Sequence, residues 1–545
     1  MQTKIIERDG YKLTNCRVKS RRGSLWLGQT CNLRCKFCYY SSKIKDITHP
    51  EHAFMSIDKA KQICKTLVDV YKNNAVDIEG GEPTIYGDIH ELIRYCNEIG
   101  LKPTLITNAL VLHKIEYCKK FKEAGIADFL VSIHSLGKAY DEIVGVDGAS
   151  ELQMKAIDNI NATGIPFRIN TVLSNEALPQ LMDIARLAVE KGARVVNFIA
   201  FNPFIDQNTG DRNLETIPRY SDIAKRLIPV IDYLDANSIE VNIRYLPMCI
   251  FEEKYRKFVQ NFQQIIYDQH EWESAGEVWS SARSQRLATE PLSKPIDFLE
   301  HIMSLRKTYY SGDIKENSGI LKPFGHFIDR LAKKVDLTQY SANNKMKVCI
   351  FGNATTGLQV IEALNDNEEL KNKWTMAGFI SSQAYLKGDT LHGYPWKSDE
   401  WLAANPPDII IITSPSSNYQ IYEILEKHDL IKRCISVFDD NTTINNKWEK
   451  RFYLEELGEV EGFDDLDYAY KEYRVLMTKF LHPYSKGEKC HKCSLTGICD
   501  GFHRDYSKIY GFGEANSVKF TETIYEPRYY IKEQMKFDST INKNN

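Results

Sequence analysis

An α/β protein, its main sheet parallel and covered by helices, is what this sequence of 545 residues predicts. Short apolar runs at 24–28, 75–79, 103–108, 128–134, 166–173 and 194–200 alternate with amphipathic stretches at 57–71, 89–99, 114–124, 151–162 and 177–191, and Gly100, Gly125, Gly164 and Gly192 stand where helices should stop. Strand and helix at that rhythm make parallel strands with crossover helices. Chemically specialised residues gather where the apolar runs end, which is where barrels of this kind keep their functional groups. A second strand and helix alternation within 344–440 lies apart from the first.

The bulk numbers set the frame. A chain this long exceeds one core and needs several domains. Its formal charge of −3, with both signs interspersed, leaves no footprint for nucleic acid. No signal-peptide start and no apolar run of about 18 residues occurs, so a cytoplasmic protein without a membrane partner is expected. Thirteen cysteines in such a chain point to metal or thiol chemistry rather than disulfides. Cys64, Cys96 and Cys118 fall on apolar helical faces and read as small core residues.

The first run leads into Cys31-Asn32-Leu33-Arg34-Cys35-Lys36-Phe37-Cys38. Three thiolates can hold three irons of a cubane cluster and leave the fourth open to a ligand. A zinc knuckle is the other reading of this run alone, although zinc sites usually pair their cysteines as CxxC. The second run ends in Gly80-Gly81-Glu82-Pro83. There the glycines admit a close backbone approach, Glu82 offers an acceptor to an ammonium group, and Pro83 stiffens the exit.

CxxxCxxC followed at the next strand end by Gly-Gly-Glu-Pro resembles the signature of the radical S-adenosylmethionine (SAM) enzymes. The resemblance implies a partial, open (β/α)6 TIM-like barrel, with a [4Fe–4S] cluster on Cys31, Cys35 and Cys38 whose open iron takes SAM. It puts Phe37 in the motif's aromatic position and assigns the methionine amino group of SAM to Gly80, Gly81 and Glu82. Thr107-Asn108-Ala109 is similar to the family's Thr-Asn-Gly, with Ala109 a departure, and makes Asn108 a cofactor contact. Ser132 becomes a SAM contact on the same grounds. His134 shares its face by alternation and reads either as a substrate contact or as a satisfied inner histidine. Arg168 and Asn170 share a face of the fifth strand. An inward Arg needs an anion, and the resemblance offers the SAM carboxylate to Arg168 and the ribose to Asn170, a strand-edge salt bridge being the alternative. The sixth strand would pack against the adenine.

Cysteines crowd again at Cys490, Cys493 and Cys499 as CxxCxxxxxC, one ligand short of four. Cys249, just beyond an apolar stretch that continues the barrel, supplies the fourth. The arrangement resembles the SPASM and Twitch auxiliary-cluster extensions. Three readings stay open: a second, fully ligated [4Fe–4S] cluster, a zinc site using His491 or His503, and a cluster with an open iron for substrate. Residues 250–489 separate the two halves of this site. Loop-closure cost grows by only about 0.6 kcal/mol per doubling of length, and a folded insert with neighbouring termini costs less. The runs at 347–351, 375–380, 408–413 and 434–438 supply that insert as a Rossmann-like unit. Its Gly352-Asn353-Ala354-Thr355-Thr356-Gly357 lacks the middle glycine of a dinucleotide fingerprint, and Ser381-Ser382 stands where the acid belongs, so a docking or scaffold role is favoured over NAD.

The expected organisation is therefore a barrel over 1–246, a Twitch-like strand and helical linker over 247–343, the Rossmann-like insert over 344–440, a helical return over 441–488, the auxiliary Fe–S segment over 489–535, and a frayed polar tail over 536–545. Its expected activity is reductive cleavage of SAM to a 5′-deoxyadenosyl radical that takes hydrogen from a substrate, with an electron donor such as flavodoxin or ferredoxin. A small metabolite or sugar nucleotide is favoured as substrate. Maturation of a ribosomal peptide is the alternative, against which stands the short stretch before the barrel, with no room for a leader-peptide domain. A non-catalytic iron–sulfur carrier or assembly factor is the reading of another class.

Overall fold

The structure, a computed structural model, describes residues 4–8, 11–16, 19–201, 215–268, 286–292, 295, 325–352, 354–380, 390–391, 393–413, 418–437, 467 and 484–538. Its largest sheet holds eight parallel strands in chain order. Six are those expected: β1 (Arg22–Trp26), β2 (Ala75–Glu79), β3 (Lys102–Thr107), β4 (Asp128–Ser132), β5 (Phe167–Leu173) and β6 (Val195–Ala200). Two more extend the sheet, β7 (Glu240–Arg244) and the short β8 (Val259–Gln260). Among the described residues β1 and β8 are its two unjoined edges. The barrel is partial, with eight strands rather than six.

Helices α1 (Ile57–Asp69), α2 (Ile89–Glu98), α3 (Ile115–Ala124), α4 (Ala149–Thr163), α5 (Leu181–Glu190) and α6 (Tyr220–Ala236) connect the strands. Local sequence explains their ends. The Ser56 side chain caps α1 by accepting from the Lys59 N–H, and Gly125 and Gly164 close α3 and α4 at φ 86° and 68°. Alternation explains the strands: in β5, Phe167, Ile169, Thr171 and Leu173 are buried, while Arg168, Asn170 and Val172 on the other face are half-buried. Cys64, Cys96 and Cys118 are fully buried core residues, the first two with sulfurs 3.6 Å apart.

The carboxyl-terminal region is built into the barrel. Its core residues Leu495, Ile498, Phe502 and Tyr506 belong to the same apolar cluster as the barrel strands. Tyr506 stacks on Tyr220 of α6 at 3.7 Å with the rings 5° from parallel. Asp500 accepts from the Phe262 N–H (2.8 Å) and the Gln263 amide (3.0 Å) just after β8. The expectation of a frayed tail over 536–545 is corrected for its first residues. Lys536–Asp538 is a strand paired antiparallel with Tyr11–Thr14. Lys536 is fully buried, its Nζ 3.1 Å from Glu240 Oε1 and 2.7 Å from Asn242 Oδ1 on β7, and Gln534 donates to Val241 O and Asn242 Oδ1. A charged Lys536 near the end of a polar stretch reads as solvated until a buried carboxylate far away in the chain is placed against it. Residues 539–545 lie outside the described residues.

The second α/β alternation folds as its own doubly wound sheet. Met346–Phe351, Trp374–Ile380, Tyr394–Lys397, Ile409–Ile412 and Cys434–Ser436 run parallel, with Met346–Phe351 central and Thr390–Leu391 adding an antiparallel edge. Read by chain position, the parallel strands lie in the order 3-2-1-4-5, the order 3-2-1-4-5-6 of dinucleotide-binding sheets without its last strand. Separate apolar clusters cover its two faces. Gly357 faces strand neighbours so closely that a Cβ there would lie 2.5 Å from the Phe379 ring. Asn353 and 381–389 lie outside the described residues, and with them the Ser381-Ser382 position.

Candidate functional site

Pairing between β1 and β2 continues past the strands and delivers the two motifs to one place. Leu27 N–H donates to Glu79 O (2.9 Å), Gly81 N–H to Gly28 O (2.7 Å) and Glu82 N–H to Thr30 O (2.9 Å). The glycines are required by this contact. A Cβ on Gly80 would stand 2.3 Å from Gly28 O, and one on Gly81 2.1 Å from Thr30 O. The close approach expected of a ligand is thus already made by the protein's own backbone, and it fixes the segment before Cys31.

Glu82 is 1 % exposed. Its Oε1 accepts from Thr84 N–H (3.0 Å), Thr84 Oγ1 (2.5 Å) and Thr107 Oγ1 (2.5 Å), and its Oε2 from Asn108 N–H (2.8 Å). Burial pushes the carboxyl above its usual range, and these hydrogen bonds pull the other way. Oε1 is saturated and Oε2 keeps a lone pair, so the group fits an ammonium partner on one side. Asn108 is placed beside the cysteine loop and braces it, its Nδ2 donating to Asn32 Oδ1 (2.7 Å) and its Oδ1 accepting from Leu110 N–H (3.0 Å). Sequence reasoning missed Asn32, and a lone Asn between two cysteines carries no signal of that bond. Ala109 takes the left-handed conformation its family counterpart Gly would favour, at φ 64°.

The cysteine loop is pinned from outside by Arg34 N–H to Val144 O (2.8 Å) and Lys36 N–H to Ile143 O (3.0 Å). N–H groups of Leu33 and Tyr40 point at Cys31 Sγ and Cys38 Sγ, each at 3.4 Å. Burial first, then Glu82 and Cys38, push the Cys31 thiol up to about 12. Burial, then Cys38 and Cys31, raise Cys35. The three thiols therefore sense one another's charge in a poorly solvated loop, where electron-poor irons would favour their thiolates. As the side chains stand, no three His, Cys, Asp or Glu groups among the described residues are set to hold a metal ion. The donor chemistry, with N–H groups aimed at sulfur, fits an iron–sulfur cluster.

On the facing side of the mouth, Ser132 and Asn170 are register partners on β4 and β5, both half-buried, and among the described residues neither side chain has a hydrogen-bond partner. Phe37 reaches from the cysteine loop to this side, its ring 4.6 Å from His134 and 6.0 Å from Phe201. Burial pushes the His134 imidazole down to about 3, so it is neutral. Arg168 is a correction. It lies at the amino end of β5, away from the mouth, with Nε 2.6 Å from Asp128 Oδ2 and Nη2 3.0 Å from Oδ1. Burial alone would raise Asp128, and the Arg168 guanidinium outweighs it and holds the carboxyl below its usual range. An inward Arg did require an anion, but the strand register supplies it from inside the fold.

Cys249, Cys490, Cys493 and Cys499 are brought together across the long gap. Burial, then Cys490 and Cys493, push Cys249 up to about 11; burial, then Cys249, push Cys499 up to about 12. Leu495 and Val518 aim N–H groups at Cys493 Sγ at 3.4 and 3.3 Å, and backbone N–H groups of Asn516, Met248 and Gly501 reach Cys249 and Cys499. His503 is turned to its own helix, its Nδ1 accepting from Asp505 N–H at 3.2 Å.

Comparison with known proteins adds the family. The model of the radical SAM superfamily matches residues 27–204. The AdoMet-dependent heme synthase of Oleidesulfovibrio alaskensis is 32 % identical over 30 % of this chain and 41 % of its own length. A probable GTP 3′,8-cyclase of Sulfurisphaera tokodaii is 27 % identical over 44 % of this chain and 72 % of its own. Streptococcus suis SuiB bound to S-adenosylmethionine overlaps 41 % of this chain and 50 % of its own at 21 % identity, with a TM-score of 0.35. No helix among the described residues is long and apolar enough to cross a membrane. The chain spans under half the length of the heme synthase, and residues 27–204, from just before the cysteine loop to just past β6, match the radical SAM superfamily.

Proposed function

We propose that the chain is an enzyme that cleaves SAM reductively at the barrel mouth and takes hydrogen from a small-molecule substrate. The observation that carries this reading is the junction of the two motifs, where Gly81 and Glu82 bond to Gly28 and Thr30 beside the cysteine loop. Cys31, Cys35 and Cys38 would hold a [4Fe–4S] cluster, which with SAM supplies a 5′-deoxyadenosyl radical. Glu82 Oε2 takes the methionine ammonium, Phe37 walls the site, and Ser132 and Asn170 offer open polar groups to the rest of SAM. Asn108 positions the loop through Asn32. Cys249, Cys490, Cys493 and Cys499 would hold a second, fully ligated cluster, their N–H-bonded sulfurs suiting electron transfer or fold stability.

A small molecule is favoured because the related heme synthase and GTP 3′,8-cyclase are named for small-molecule reactions. Anaerobic reconstitution, then dithionite and SAM, tests the reading. 5′-Deoxyadenosine and methionine are expected in equal amounts, and are abolished when Cys31, Cys35 and Cys38 are all replaced by Ala. No 5′-deoxyadenosine from protein carrying its full iron would refute it.

A further inference from the structure

The loop that carries Cys490, Cys493 and Cys499 is pinched at its neck. Tyr484–Ser485 pairs antiparallel with Phe502–His503, so Lys486 enters the loop where Gly501 leaves it. The two are packed together: a Cβ on Gly501 would lie 3.0 Å from Lys486 Cγ. From there the half-buried Lys486 side chain folds back over the loop, and its Nζ donates to Thr496 O at 2.6 Å, midway in sequence between Cys493 and Cys499. The stem lies on the residue two after Cys499, and the ammonium sits on the residue three before it.

Other cations of this loop are placed differently. Lys489 and Lys492 are exposed, Lys492 pairing with Glu488 at 2.7 Å, and water screens such charges. The Lys486 charge acts with less water around it. Burial raises the Cys490 and Cys499 thiols, and in both the Lys486 ammonium pulls the other way, so one cation faces two sulfurs of the set. A fixed positive charge beside an iron–sulfur cluster favours the form that carries the extra electron.

We propose that the Lys486 ammonium raises the reduction potential of the cluster held by Cys249, Cys490, Cys493 and Cys499. This rests on the second cluster proposed above. Three substitutions separate charge from hydrogen bond. Lys486→Arg keeps both, Lys486→Gln keeps an N–H donor for Thr496 O without the charge, and Lys486→Met keeps neither. Each full-length chain is reconstituted anaerobically and titrated with dithionite and mediators while EPR follows both clusters. The second cluster's signal is the one that persists when Cys31, Cys35 and Cys38 are Ala. Bound iron and thermal unfolding are measured alongside.

In Lys486→Gln and Lys486→Met the reduced second cluster is expected to be about tenfold rarer at a given potential, a midpoint lower by about 59 mV for one electron. Lys486→Arg should stay within about twofold of wild type, and the first cluster's midpoint should not move in any variant. Near-native iron and unfolding are expected in Lys486→Gln. A wild-type midpoint in Lys486→Met would overturn the inference. So would a shift in Lys486→Met that Lys486→Gln does not share, which would make the bond to Thr496 the cause, or an equal shift in Lys486→Arg. If the wild type holds only about four irons per chain, all lost with Cys31, Cys35 and Cys38, the second cluster itself falls and the inference with it.

Discussion

The two cysteine sites are built in opposite ways. The barrel site is local: its three cysteines share one eight-residue loop, held from outside by Val144 and Ile143, and all three are half-buried. The second site is assembled from Cys249 and from 490–499, and two of its four cysteines are 8 % exposed. Around the first, Ser132 and Asn170 present side chains that have no hydrogen-bond partner among the described residues. Backbone N–H groups point at sulfur in both sites, those of Leu33 and Tyr40 in the first and those of Leu495 and Val518 in the second. A site with spare polar groups is made to take a ligand. One whose sulfurs are enclosed by the chain is made to hold what it has.

The sharpest way to break this contrast is to remove Cys249, the cysteine that joins the distant halves. Cys249→Ser should lower bound iron by one cluster, about four irons per chain, while 5′-deoxyadenosine formation at the barrel site persists. Unchanged iron would show that Cys249 ligates nothing and that the second site is local too. Next in size is the anchor of the carboxyl-terminal region. Lys536→Met leaves Glu240 buried without its cation and should destabilise the protein by about 3–5 kcal/mol in denaturant unfolding. A loss under about 1 kcal/mol would mean that this strand contributes nothing to holding the second region on the barrel.

The smallest effects concern one turn in each site. Ala109 stands beside the first at φ 64°, where an L residue is strained by about 1–2 kcal/mol. Ala109→Gly should raise stability by about 0.5–1 kcal/mol, part of the relieved strain being offset by backbone entropy. Gly501 follows Cys499 at φ 93°, with Ser485 O 2.4 Å from where a Cβ would sit, so Gly501→Ala should cost more than about 2 kcal/mol. Equal and small effects at both positions would remove the distinction between a tolerated and an enforced left-handed residue.

Much of the site is legible in the chain because its parts are neighbours in sequence or sit at corresponding strand ends. Cys31 to Cys38 and Gly80 to Glu82 need only two strand and helix units to meet, and the six barrel strands follow from apolar runs and glycine stops. Arg168 shows the limit. Alternation correctly turned it inward, yet its partner is Asp128, and only strand register puts the two carboxylate oxygens against the guanidinium. Lys536 is the same lesson at longer range, a charged residue whose burial is matched by Glu240, nearly 300 residues earlier in the chain.

The sequence by itself determined the parallel α/β architecture, the cysteine chemistry and the pairing of Cys249 with the distant trio as a candidate. Those rest on periodicity, residue type and the low entropic cost of a long loop, all of which are local or additive. Tertiary structure alone decided that the sheet runs to eight strands, that Gly80 and Gly81 are demanded by their own backbone neighbours, that Arg168 is neutralised within the fold, and that His134 Nδ1 accepts from the Val172 N–H. Each is a statement about which polar group meets which, and that is set by register and packing between segments the chain order does not join.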